Sequence, residues 1–211
     1  MAINSDPRCR QCRREGDKLF LKGVKCEKHC TLDKERRRKP PGQHGGNVIQ
    51  KKLTEYGVQL REKQKLRRIY RVLESQFRAY LQEAERRKGV TGENLLQLLE
   101  MRLDNVIYRL GLADSRAQAR QMVSHRFFTV NNRRTNIASY QVKPGDVIAI
   151  HESKSQTDII KEMRAKIHTR RLPEWLRFNS NDMVGEVVAP PTRDQIDTSV
   201  QEQLIVEFYS R

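Results

Sequence analysis

Cys9, Cys12, Cys26 and Cys30 are the only cysteines in this 211-residue chain, and all lie within its first thirty residues. Their spacing is C-x2-C, thirteen residues, then C-x3-C. Thiolates three or four residues apart can turn onto one ion through a tight knuckle, and two such pairs complete a tetrahedral shell. Zinc suits that donor set, with an iron–sulfur cluster as the alternative. His29, beside Cys30, is a possible substitute ligand. The competing readings are two disulfides or four free thiols. Disulfides need an oxidising compartment, and Met1 to Arg14 shows no apolar segment of the secretory kind. Four protein ligands leave no open position for a substrate, so the expected site is structural. The ion would supply folding energy to a segment too polar to form its own core.

Charge provides the second chemistry. Lysine and arginine number 42 against 26 aspartates and glutamates, a net charge of +16. The excess is concentrated: residues 1–71 carry +13 and residues 102–143 carry +6, while the intervening and terminal blocks are near neutral. Like charges gathered this way repel unless an anion answers them. An anionic membrane surface is a poor candidate, because interfacial helices carry Trp, Phe and Leu on the opposite face and this chain has one Trp. No run of about 18 apolar residues is long enough to span a bilayer. Nucleic acid is the partner that fits, in a soluble, intracellular protein.

Several elements must position these groups. Arg36-Arg37-Arg38-Lys39 precedes the Pro/Gly-rich stretch that contains His44, which suggests an extended arm lying on phosphates. Leu53, Tyr56, Leu60 and Gln64 predict one face of a helix flanked by Arg61, Lys63, Lys65, Arg67 and Arg68. A second helix buries Leu73, Phe77, Leu81 and Ala84 and stops near Gly89. A third follows Thr91 with Leu95, Leu96, Leu98 and Leu99, and the three should form a small bundle. Ser115-x-x-Gln118 has the form of a capping box, so a helix should start at Arg116. That helix should show Arg116, Arg120 and Gln121 outward and turn Ala119, Met122 and Val123 inward. Phe127, Phe128 and Val130 suggest a short strand turning at Asn131-Asn132, with Arg133 and Arg134 following. Val147 to Ile150 completes a small sheet. In the tail, Asp158 to Ile167 predicts a helix, Trp175–Phe178 and Met183–Val188 could pair, and a capping box at Ser199 predicts a final helix packed on the bundle.

Four stretches carry a resemblance covering nearly the whole chain. Pro40-Pro-Gly-Gln-His-Gly45, Leu60-Arg-Glu-Lys-Gln-Lys-Leu-Arg-Arg-Ile-Tyr70, Arg102-Leu-Asp-Asn-Val-Ile-Tyr-Arg-Leu-Gly111 and Glu202-Gln-Leu-Ile-Val-Glu-Phe-Tyr-Ser-Arg211 together resemble the small-subunit ribosomal protein S4 family. The likeness is to its bacterial or organellar type with four N-terminal cysteines. It implies an α+β protein: a helical domain with an inserted S4-type RNA-binding domain, made of a helix pair plus a small β-sheet, and an N-terminal metal-knuckle arm. The implied divisions are a basic arm at 1–47, a helical domain at 48–101, the RNA-binding domain at 102–165, and a C-terminal segment at 166–211 returning to the helical domain. The resemblance also implies a cytoplasmic, ribosome-bound protein that binds small-subunit rRNA early, nucleates the subunit body and contributes to translational accuracy. Implied partners are neighbouring small-subunit proteins, notably the fifth, and mRNA near the entry channel; no membrane and no homo-oligomer are implied. Candidate RNA contacts are Arg8, Arg10, Arg13, Arg14, Arg36, Arg37, Arg38, Lys39, His44, Arg61, Lys63, Lys65, Arg67, Arg68, Arg102, Arg116, Arg120, Gln121, Arg126, Asn131, Arg133 and Arg134. Arg126 and Asn132 stand where this family usually has glycine, so the local geometry should differ there.

Enzymes weigh less. Pseudouridine synthases share an Arg-Leu-Asp motif with a catalytic aspartate, but here Asn105-Val106-Ile107-Tyr108 continues an amphipathic helix. Asp104 is therefore expected to be a cap or an ion-pair partner. No phosphate-binding P-loop and no Gly-x-Ser-x-Gly elbow occurs.

Overall fold

The computed structural model describes residues 6–46, 53–166 and 172–211. The sequence readings at Asn47, at Ile167 and for the His44 side chain lie outside the described residues. The chain forms two compact units, Met1–Leu95 with Thr198–Arg211, and Leu96–Asp197.

In the first unit, α1 (Arg8–Glu15) and α2 (Val24–Lys28) carry the cysteines. Short 3-10 turns cover Thr31–Asp33, Glu35–Arg37 and Gln43–Gly46. The apolar support here is small: Cys12, Leu19, Leu21 and Leu32 cluster with half-buried Cys30 and Ile69. Then come α3 (Glu55–Ile69) and α4 (Glu74–Arg86), with α9 (Glu202–Tyr209) closing the chain against α3. Thr54 caps α3 by accepting the Gly57 N–H. The expected apolar stripe of α3 is displaced: Leu53 and Tyr56 are exposed, and the buried face is Gln59, Lys63, Leu66 and Tyr70 together with Lys65. Long lysine stems can line an apolar surface when their ammonium heads find partners, and that is what moves the face. Ser199 does not cap α9; its hydroxyl donates to Asp17, and the helix begins at Glu202 without a side-chain cap.

Helix α5 (Thr91–Glu100) crosses the division between the units, its first half falling with α3 and α4 and its second half in the second unit. The second unit continues with α6 (Leu103–Arg109), α7 (Arg116–Ser124), β1 (Phe128–Val130), β2 (Arg133–Arg134), β3 (Val147–Ile150), α8 (Asp158–Lys166), β4 (Leu176–Asn179) and β5 (Val184–Val187). The sheet order is β2-β1-β3-β5-β4, and each neighbouring pair runs antiparallel. The tail strands pair as the sequence suggested, with Leu176 opposite Val187. However, they pair into the same sheet through Ile148 opposite Gly185. Most of residues 166–211 therefore belongs to the second unit, and only Thr198–Arg211 returns to the helices. A Cβ on Gly185 would stand 2.5 Å from the side chain of buried Leu110, the C-cap residue of α6, so any larger residue on β5 there would force Leu110 to shift. Trp175, Leu103, Ile107, Leu110, Phe128, Ile148 and Val187 fill the core beneath the sheet.

Candidate nucleic-acid interface

The basic residues separate into two populations by what answers their charge. On α3 each candidate cation meets a carboxylate. Lys63 Nζ lies 2.9 Å from Glu74 and over the rings of Phe208 and Tyr209 at 4.7 and 5.5 Å. Arg67 lies 2.8 Å from the same Glu74, which also accepts the Tyr209 hydroxyl at 2.6 Å. Lys65 is 2.8 Å from Asp17, and Arg61 and Arg68 both pair with Glu15, whose side chain is 1% exposed. These five residues, candidate RNA contacts in the sequence, stitch α3 to α1, α4 and α9.

Around α6 and α7 the cations are likewise paired, and the outward orientation expected of Arg120 is overturned. Arg120, expected outward, is 3% exposed and donates to Asp104 at 3.2 Å. Arg102, 1% exposed, grips Asp104 with Nε and Nη2 at 3.1 and 2.8 Å. Arg116 is half-buried: its Nε donates to Asn105 at 2.7 Å, and its guanidinium stacks 4.6 Å from the Tyr108 ring centre. Glu100, also buried, takes a bidentate pair from Arg109 and a bond from Asn105. Charges placed in a dry interior must be paired, and this network keeps α5, α6 and α7 in one arrangement. Asp104 is an ion-pair partner between two guanidiniums. The capping box at Ser115 is displaced by one residue: Ser115 accepts the Gln118 N–H, but the Gln118 side chain accepts from Asp114.

What α7 and the hairpin do present is Gln121, Arg126, Asn131, Arg133 and Arg134, all exposed. The turn is built as its residues demand. Asn131 and Asn132 take φ of 49° and 62° between paired Val130 and Arg133, a two-residue turn of the type that suits right-twisted strands. Asn131 is also tied down, donating to Asp146 at 2.8 Å and accepting the Val147 N–H at 2.9 Å. Arg126 has φ 60°. Contrary to expectation, the two non-glycine residues thus hold the left-handed backbone that glycine would supply. Exposed Lys143, missed in the sequence, also belongs to this unit's basic surface; it stood alone beside the Pro144-Gly145 turn, with no basic neighbour to flag it.

In the N-terminal region, Arg10, Arg14, Arg36, Arg37, Arg38 and Lys39 are exposed. Arg8 and Arg13 are half-buried and donate to backbone carbonyls: Leu21 for Arg8, Lys39 and Pro40 for Arg13. The four cysteines are free thiols lining one cavity of about 20 Å³. Backbone N–H groups serve two of them, Lys22 to Cys26 Sγ at 3.2 Å and Leu19 to Cys12. Burial pushes the Cys12 thiol up to about 11, and burial with neighbouring thiols raises Cys26. Burial opposes ionisation of Cys9 as well, but the Thr31 hydroxyl and the Lys22 ammonium outweigh it and hold that thiol below the ordinary value. The donor chemistry suits zinc. Among the described residues, however, no group of three or more His, Cys, Asp or Glu takes a metal-ligating arrangement.

Residues 4–100 match the family described as Ribosomal protein S4/S9 N-terminal domain, and residues 101–148 match the S4 domain. The chain belongs to the ribosomal protein S4 family. Similar relatives span its whole length. The small ribosomal subunit protein uS4 of Pelotomaculum thermopropionicum is 58% identical over 204 residues, 96% of each chain. The protein of the same name from Desulforamulus reducens is 55% identical over 212 residues, covering both chains completely. The uS4A protein of Symbiobacterium thermophilum is 56% identical over 212 residues with the same coverage. Within this S4-family chain, the family boundary at residues 100 and 101 falls at the end of α5, where the buried Glu100–Asn105–Arg109 network begins.

Proposed function

We propose that this S4-family protein is a structural constituent of the small ribosomal subunit, binding small-subunit rRNA through the cations left exposed on its surface. The relatives carry the name of a small ribosomal subunit protein over matched full lengths. The single observation that carries the reading is the charge sorting. Carboxylates answer the α3 and α6–α7 cations, while Arg10, Arg36, Arg37, Arg38, Arg126, Arg133 and Arg134 remain exposed. Cations displayed this way neutralise phosphates and release their condensed counterions. A-form RNA is then selected by shape and 2′-hydroxyl contacts, because its major groove is too narrow to read. Early binding, nucleation of the subunit body and a contribution to decoding accuracy belong to the same reading, as do a neighbouring fifth small-subunit protein, mRNA near the entry channel and a cytoplasmic location. Among the described residues no helix is long and apolar enough to cross a membrane. A catalytic role for Asp104 has no support, since its side chain is 6% exposed and held by Arg102 and Arg120. Crosslinking in cells followed by sequencing of the captured RNA tests the reading. Recovery of small-subunit rRNA, with the protein co-sedimenting with small subunits, is expected; recovery of other RNA, with the protein at the top of the gradient, would overturn it.

The four thiols are proposed as a structural zinc site. Bound zinc would hold Cys9 and Cys12 of α1 to Cys26 and Cys30, giving a four-residue apolar cluster the energy it lacks. Elemental analysis of the purified protein should find one zinc per chain; finding neither zinc nor iron would refute the site.

A further inference from the structure

A second cavity shares Cys9, Lys22 and Thr31 with the thiol cavity, and its lining is strongly basic. Its volume is about 390 Å³, and Arg8, Arg10, Arg13, Lys22 and Arg37 surround it with Thr31 and Cys9. None of its described lining residues carries a carboxylate. The neighbouring cavity, by contrast, includes Asp33, which pairs with Lys18 at 2.6 Å. Two of the five heads are fixed without being neutralised. Arg8 Nη1 donates to the Leu21 carbonyl at 3.2 Å, and Arg13 donates to the carbonyls of Lys39 and Pro40 at 2.9 and 3.3 Å. Backbone carbonyls orient a guanidinium but leave its full charge, and of the lining side chains only the Cys9 thiol, which Lys22 already meets, can become an anion, so the arginines there are not neutralised by a carboxylate of the lining.

We propose that this concavity is a seat for one phosphodiester of folded RNA, with Arg8 and Arg13 as the preset arms and Arg10, Lys22 and Arg37 completing the cage. The inference rests on the RNA-binding reading above and adds to it a particular place of grip. Preset arms reduce the ordering cost of binding, and planar guanidiniums match the two free oxygens of a phosphodiester. Cys9, Lys22 and Thr31 line both this seat and the thiol cavity. The seat and the thiol cluster therefore share a wall, and whatever orders the thiols shapes the seat.

The test uses the full chain and a folded small-subunit rRNA fragment. Arg10→Gln with Arg37→Gln, both at exposed positions, should lower affinity about tenfold or more and make the slope of log affinity against log salt shallower by about 1 to 2. Arg67→Gln, which removes an α3 cation already paired with Glu74, should leave that slope unchanged. Fragments carrying a single uncharged methylphosphonate identify the phosphate itself. One position should weaken wild-type binding about tenfold and leave the double variant unaffected. If the double variant proves unfolded by circular dichroism, the methylphosphonate series on the wild type still decides. A series in which every position has the same small effect would overturn the seat. So would tight binding of inorganic phosphate that leaves RNA affinity untouched, because the cavity would then serve a free anion. If the wild type fails to bind the fragment at all, the RNA reading itself falls.

Discussion

Asp104 and Arg126 show what single side chains decide. The Asp104 carboxylate faces two buried guanidiniums, and removing its charge leaves both uncompensated in a dry interior. Asp104→Asn should destabilise the protein by about 3 kcal/mol or more, measured as a shift of the urea midpoint. An unchanged midpoint would mean that water reaches the pair. Arg126 holds a φ of 60°, which costs a side chain with a Cβ about 1–2 kcal/mol. Arg126→Gly should therefore raise stability by about 0.5–1 kcal/mol after glycine's own entropy is counted, and Arg126→Ala should give no such gain. The same glycine variant should weaken RNA binding by removing an exposed cation. Stability and binding moving in opposite directions would identify a residue kept for contact at the expense of strain.

Elements explain where sequence patterns succeeded and failed. Most helices and strands lie where periodicity and caps put them: the 128–134 hairpin, the Ser115 start of α7 and the buried stripe of α4 were all legible. The orientation of α3 was not, because Lys63 and Lys65 are buried by partners as much as 146 positions away, Tyr209 among them. A polar residue reads as outward until its counter-ion is located, and Glu15, Asp17 and Glu74 stand in other elements. Arg120 failed for the same reason. The seat around Arg8 and Arg37 could be read only as a general basic arm, since its walls come from α1, residue 22 and the turns after α2. The α3–α4–α9 lattice has a pH signature. Burial works against the Glu74 charge, but the Lys63, Tyr209 and Arg67 contacts outweigh it and hold Glu74 below the ordinary carboxylate value. A carboxyl lowered on folding contributes stability above its unfolded value, about 4.3, and that stability is lost as pH falls through the folded value. Glu74→Gln should thus make the acid limb of thermal stability shallower and lower stability at neutral pH. An identical acid limb in wild type and variant would remove the lattice from the account.

At the scale of the whole molecule, each of the two compact units combines buried cations paired with carboxylates and cations exposed at the surface, and on the proposed reading the exposed ones meet the polyanion. The thiol cluster adds a condition in the first unit. Metal binding must displace the proton from Cys12, whose thiol is pushed up to about 11, so apparent zinc affinity should rise with pH from 6 to 8 and loading should release protons. Chelation should loosen residues 6–46 in hydrogen exchange while the helices of 55–86 stay protected; equal protection with and without chelator would contradict a metal role in folding. The most direct measurement for the sorting of charge is the salt dependence of rRNA binding in two double variants of the full chain. Arg133→Gln with Arg134→Gln should reduce the slope of log affinity against log salt by about 2 with an unchanged melting midpoint. Lys63→Gln with Arg67→Gln should lower the melting midpoint and leave the slope as in wild type. Equal losses of slope in the two variants would show that ion pairing inside the fold does not withhold a cation from RNA.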